Sequence, residues 1–175
     1  DTNTWRIRGG VEFDFPTGFS LPENSHLLLV SFDPQAQPVT LGNFLSRFNV
    51  AGGVKVIGPW QGTLNNDGDS VRLLKPGVPD ARGVPFVLVD QVHYEPAPPW
   101  PTNGLAAGSS LQRILGSGFG DDPANWKTAA PTAGASRRRG PAIHAPWPAM
   151  SSGLPTPLRS SVATTAPSRC LWAST

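Results

Sequence analysis

Proline, glycine and Asp-Gly pairs cut residues 1–134 into short runs, and this punctuation constrains the fold more than any other feature. Gly and Pro contribute 39 of the 175 residues, a share that favours many strands and turns over long helices. Residues 3–15, NTWRIRGGVEFDF, read as two strands around Gly9-Gly10. Trp5 and Ile7 alternate with Arg6 and Arg8, and Val11, Phe13 and Phe15 alternate with Glu12 and Asp14, so the hairpin has one apolar face. His26–Phe32 is an apolar run long enough for a central strand and too short for a typical helix.

One segment has helical spacing. Leu41, Phe44, Leu45 and Phe48 fall at i, i+3, i+4 and i+7 behind Pro38, which suits a first turn. Further strands are expected at Val54–Ile57, ahead of Leu74 after an Asp67-Gly68 turn, at Phe86–Tyr94 and at Ser109–Ile114. The proline-rich segment 96–101 suits extended backbone outside a ladder. About seven short strands with turns between them predict an all-β sandwich, not alternating βα units. From Ala135 the periodicity stops, and 135–175 is expected to be a disordered tail too poor in apolar surface to offset chain entropy.

Charge follows the same boundary. Residues 1–134 hold nine Lys and Arg against twelve acids, a net of −3, whereas 135–175 hold five Arg and no acid, a net of +5. A nucleic-acid footprint should lie on the folded part, which here is mildly acidic, so nucleic acid is disfavoured as a partner. No apolar run approaches the roughly 18 residues of a membrane span. Cys170, the single cysteine, lies in the tail, which leaves 1–134 without a disulfide or thiolate cluster.

Several unusual clusters occur in one order: FDFPTG, LPENSHLLLVSFDP, VIGPWQGTLNNDGDSVRLLKP, VDQVHYEPAPPWP, SSLQRI and DDPANWKTAAPTAG. Together, over residues 4–134, they resemble a bacterial lamin tail domain. The resemblance implies an immunoglobulin-like β-sandwich of about seven strands and a non-catalytic accessory or interaction module of a larger exported or cell-surface bacterial protein. It also implies that an opening strand with an acidic and aromatic motif is absent from this chain, which would leave a neighbouring strand unpaired. The alternatives are an appended domain of an exported hydrolase and a nucleic-acid-binding module by analogy with animal lamin tails.

The search for chemistry yields no catalytic residue, no cofactor and no metal ligand set. No G-x-S-x-G turn is present. Asp90, His93 and Ser110 hold the residue types of a triad, but Asp90 and His93 differ in strand parity and should face opposite ways. Asn65, Asn66, Asp67, Gly68 and Asp69 are oxygen-rich, yet an EF-hand counted from Asn65 would need glycine at Ser70 and glutamate at Pro76. A hairpin turn using Asn and Asp chemistry is the simpler reading, with a Ca²⁺ site on Asp67 and Asp69 as its rival. His26, His93 and His144 lack paired metal-ligand spacing. Gly116, Gly118 and Gly120 break the dinucleotide pattern at Pro123, and Arg137–Arg139 read as solvated charge. Trp60, Trp100 and Tyr94 are the candidate contacts for a protein or glycan partner, since aromatic anchors dominate hot spots. A place in the core is the competing expectation for the tryptophans.

Overall fold

The structure is a computed structural model that describes residues 4–101 and 108–134 together with the backbone of 163–165 and 170–174. Gly9 carries the positive φ that turns the first hairpin, from β1 (Arg6–Gly9) into β2 (Val11–Asp14). β2 is flanked by the short β5 (Gln61–Gly62), and β1 pairs antiparallel with β6 (Asp69–Pro76). β6 pairs with β7 (Phe86–Tyr94), giving a five-stranded sheet in the order β5-β2-β1-β6-β7. The register shifts once, between Leu73 and Leu74.

The second sheet is built around β3 (His26–Val30). α1 (Pro38–Arg47) returns the chain so that β4 (Lys55–Ile57) runs parallel to β3. Parallel neighbours require such a crossover, so one βαβ unit sits among otherwise antiparallel described strands; the expected sandwich included the helix but not this parallel pairing. β8 (Ser110–Arg113) pairs with β9 (Trp126–Ala129), a strand not expected from the sequence.

The apolar run of β3 has a direct physical reason. Leu27 and Leu29 join Ile7, Val11, Val71, Val92, Leu111 and Trp126 in a core shared by both sheets. Leu28 and Val30 face the other way and pack with Phe44 of α1 and Ala133. A strand covered on both faces has no polar positions to alternate with. The helical stripe meets this second face through Phe44, Leu45 and Phe48, while Leu41, the first residue of the stripe, is not part of that cluster.

β10 (Ala163–Thr165) and β11 (Cys170–Ser174) complete the second sheet, whose order is β4-β3-β11-β10-β8-β9. At these two segments the structure differs from the disordered tail expected for 135–175. Composition measures whether a segment can bury a core of its own, not whether it can join two strand edges already present. The rest of that expectation lies outside the described residues. Among those described, the molecule is mostly antiparallel strand with one α-helix.

Candidate functional site

The three residues expected as partner contacts are all buried. Trp60 and Trp100 are 6% exposed and Tyr94 is 7% exposed, and all belong to the shared core. Trp100 lies against Trp126, with ring centroids 6.1 Å apart. The Tyr94 hydroxyl donates to the Asn65 carbonyl oxygen at 2.7 Å. Burial, reinforced by the negative charge of Asp69, raises its pKa well above the ordinary value of a phenol. For Trp60 and Trp100, on proline-bounded loops, a partner contact and a core place were both expected, and the core place is the one observed; rings of this size are the largest apolar surfaces available to fill the gap between the sheets.

The oxygen-rich turn is also committed internally. The Asp69 carboxylate accepts from the N–H groups of Asn65 at 3.1 Å and Ser70 at 2.7 Å, and the Asn65 side chain accepts from the Asp67 N–H at 3.0 Å. These are Asx-type turn contacts. Among the described residues no group of three or more His, Cys, Asp or Glu side chains converges on a point where a metal ion would sit.

Asp90, His93 and Ser110 do not come together. Ser110 is buried in the second sheet and its hydroxyl donates to the Ala129 carbonyl oxygen at 3.2 Å. Asp90 turns to Arg113, which is itself buried, and also accepts from the Gln91 N–H at 3.0 Å. His93 instead faces solvent on β7. Its Nδ1 lies 2.6 Å from the Ser70 hydroxyl and its Nε2 lies 3.6 Å from Glu95.

The Ser70 contact follows from register. Ser70 and His93 are directly opposite. The Ser70 carbonyl accepts from Gly10, on the β1 side, and the His93 N–H donates outward to Asp121 at 2.6 Å. Neither backbone group is then spent between β6 and β7, and in such a non-hydrogen-bonded pair the side chains approach closely. Spacing along the chain could not reveal this partner, because it lies 23 residues away and depends on where the bulge falls.

β7 is the edge of its sheet, and the two halves of that edge differ. The loop after β8 packs along residues 90–93: Asp121 accepts from the Gln91 side chain at 2.8 Å as well as from the His93 N–H. Arg113 donates to the Gly118 carbonyl at 2.5 Å, and the Trp126 indole donates to the Gly120 carbonyl at 2.8 Å. The glycines at 116, 118 and 120 thus belong to a loop pinned over a strand edge. At the other half, Phe86–Val89, no strand lies alongside β7 among the described residues. There Val87 and Leu88 are 45% and 48% exposed, and the pinned loop holds Leu115 and Phe119 at 60% and 69% exposure. His26 lies on β3, away from this edge, while His144 and Arg137–Arg139 lie outside the described residues.

Comparison with protein-family models, with curated proteins and with solved structures finds no match to this chain.

Proposed function

We propose that the chain is a lamin-tail-like, immunoglobulin-type sandwich that acts as a non-catalytic interaction module of a larger exported or cell-surface bacterial protein. The ordered sequence clusters over residues 4–134 and the two sheets around one core support this reading of the fold. The observation that carries the function is the open half of β7. Exposed strand edges are ordinarily short, charged or covered; here four residues, with Val87 and Leu88 exposed, have no strand alongside them among the described residues. An extended segment of a protein partner would add to this edge through main-chain hydrogen bonds, with apolar side chains at alternate positions supplying specificity.

The test is selection of extended peptides from a displayed library on the full chain, followed by affinity measurement. Selected peptides should carry alternating apolar residues, and Leu88→Lys should weaken them at least about tenfold, roughly 1.4 kcal/mol. Val39→Lys, on an exposed position of α1, should leave affinity unchanged. Equal binding by the Leu88→Lys variant would overturn the edge as the docking surface.

One observation favours a hydrolytic second reading, the contact between the Ser70 hydroxyl and His93 with Glu95 on the far side of the ring. A nucleophile with an adjacent base and a carboxylate is the minimum constellation for acyl transfer. His93 and Glu95 are more than half exposed, however, so water is not excluded from the ring. Hydrolysis of an activated aryl ester that is abolished by Ser70→Ala would support this reading, and turnover equal to background would remove it.

A further inference from the structure

We propose that Asp67-Gly68 is a modification site at which the folded chain isomerises its own backbone, turning Asp67 into an isoaspartyl linkage and loosening the turn that holds the Tyr94 hydroxyl. The pair lies in the turn between β5 and β6, and Asp67 is the only aspartate in the sequence followed by glycine. The turn itself requires that glycine. Its φ is +114°, and a Cβ there would lie 3.0 Å from the Tyr94 carbonyl oxygen. The residue that fits this backbone is therefore also the one whose nitrogen no side chain shields.

The two carboxylates of the turn differ in what holds them. Asp69 accepts from the N–H groups of Asn65 at 3.1 Å and Ser70 at 2.7 Å, and its oxygens fill the space that a Cβ on Gly10 would need. It must give up these contacts before it can react. Asp67 is exposed, and its N–H is fixed by the Asn65 side chain at 3.0 Å. Its carboxylate has no hydrogen-bond or ionic partner among the described residues, so it is free to turn onto the nitrogen that follows it.

The chemistry needs only the pair and water. The Gly68 nitrogen attacks Cγ of the protonated Asp67 carboxyl. An N–Cγ bond forms, a Cγ–O bond breaks, and the displaced oxygen leaves as water with the carboxyl proton and the amide proton. The product is a five-membered succinimide. Water then adds to one of its two carbonyls. Addition at Cγ breaks the new bond and restores aspartate. Addition at the main-chain carbonyl breaks the original peptide bond, so the chain runs through Cβ and Cγ and the former main-chain carbonyl becomes a free carboxylate. No electron is transferred, and mass and net charge return to their starting values.

The isomer has one more carbon in its main chain between Asn65 and Asp69. Asn65 is held at both of its backbone groups, by its N–H to Asp69 and by its carbonyl to the Tyr94 hydroxyl at 2.7 Å. The lengthened turn pulls these contacts out of register. The Tyr94 phenol, whose ionisation is suppressed by burial and by Asp69, then ionises more readily.

The test incubates the full chain at neutral pH, folded and in urea, and sequences its peptides by electron-transfer fragmentation, which separates isoaspartate from aspartate. Site resolution matters because deamidation at Asn103-Gly104 also yields isoaspartate. Isoaspartate should accumulate at position 67 of the folded chain within about tenfold of the rate in urea, a barrier difference of at most about 1.4 kcal/mol. Asp69 should stay unconverted. Conversion of Asp67 slowed by folding beyond that limit, or no faster than that of Asp69, overturns the site. In the purified converted chain, phenolate absorbance should appear at lower pH than in the fresh chain. An incubated Asp67→Glu variant, which keeps the charge but cannot close a five-membered ring, should retain its original titration. An unchanged titration in the converted chain, or the same shift in the variant, overturns the link to Tyr94.

Discussion

Replacing Asp90 by Ala should be among the most damaging single changes in the molecule. Arg113 is 4% exposed, and Asp90 binds two of its guanidinium nitrogens, one of them at 3.3 Å. The pair ties β8 of one sheet to β7 of the other. Removing the carboxylate leaves a cation in a site that water barely reaches, which typically costs about 3–5 kcal/mol. The Gly118 carbonyl and the Trp126 ring, whose centroid is 5.9 Å away, remain. These keep the expected loss near the lower bound, about 3 kcal/mol. For a urea slope of about 1.5 kcal/mol/M, the unfolding midpoint should fall by about 2 M with an unchanged slope. The Asp90→Leu/Arg113→Met double variant removes both charges and fills the space, so its loss should stay below about 1.5 kcal/mol, far less than the sum of the single variants. A loss under about 1 kcal/mol for Asp90→Ala, or additive effects in the cycle, would refute the reasoning.

Tyr94 is the only tyrosine, so its ionisation is readable by near-ultraviolet phenolate absorbance. Its folded pKa is raised, so the stability it confers is fully present below the unfolded value of roughly 10 and is lost progressively as pH rises above it. Phenolate should therefore appear together with alkaline unfolding, and Tyr94→Phe should remove that part of the alkaline loss while costing about 1 kcal/mol at neutral pH for the bond to Asn65. Gly9→Ala should destabilise by about 3 kcal/mol or more in thermal melts, because φ is +131° and a Cβ there would collide with the Ser70 carbonyl. Leu28→Ala, in a fully buried strand position beneath α1, should cost about 3–5 kcal/mol in denaturant unfolding, whereas Val78→Ala at an exposed site should stay within about 0.5 kcal/mol.

The local elements were legible where a physical period spans neighbouring residues. The Phe86–Tyr94 strand appears with the expected bounds, and the i, i+3, i+4, i+7 stripe appears as α1. β9 was missed because Trp126–Ala129 contains one large apolar residue, which creates no alternation; Trp126 is held by its indole bond to Gly120 and by pairing with β8. Trp60, Trp100 and Tyr94 were legible as important aromatics, but on which side of the core boundary they fall depended on how the loops of Trp60 and Trp100 and the end of β7 pack against the second sheet. The Ser70–His93 contact and the open half of β7 were not legible, since both require the pairing of strands distant in sequence and the bulge that sets its register.

By itself the sequence determined the class of structure: short punctuated strands, one amphipathic helix, and a charge boundary after residue 134. Those properties reside in neighbouring residues, where backbone sterics and alternation act directly. The tertiary structure alone decided that α1 carries the chain into a parallel neighbour of β3, that Ala163–Thr165 and Cys170–Ser174 enter the middle of a sheet begun more than a hundred residues earlier, and that β7 stands at an edge half covered by a loop. These are questions of which edge meets which. Backbone hydrogen bonds are chemically alike in every strand, so the answer comes from the mutual burial of distant apolar faces and not from any residue's own preference.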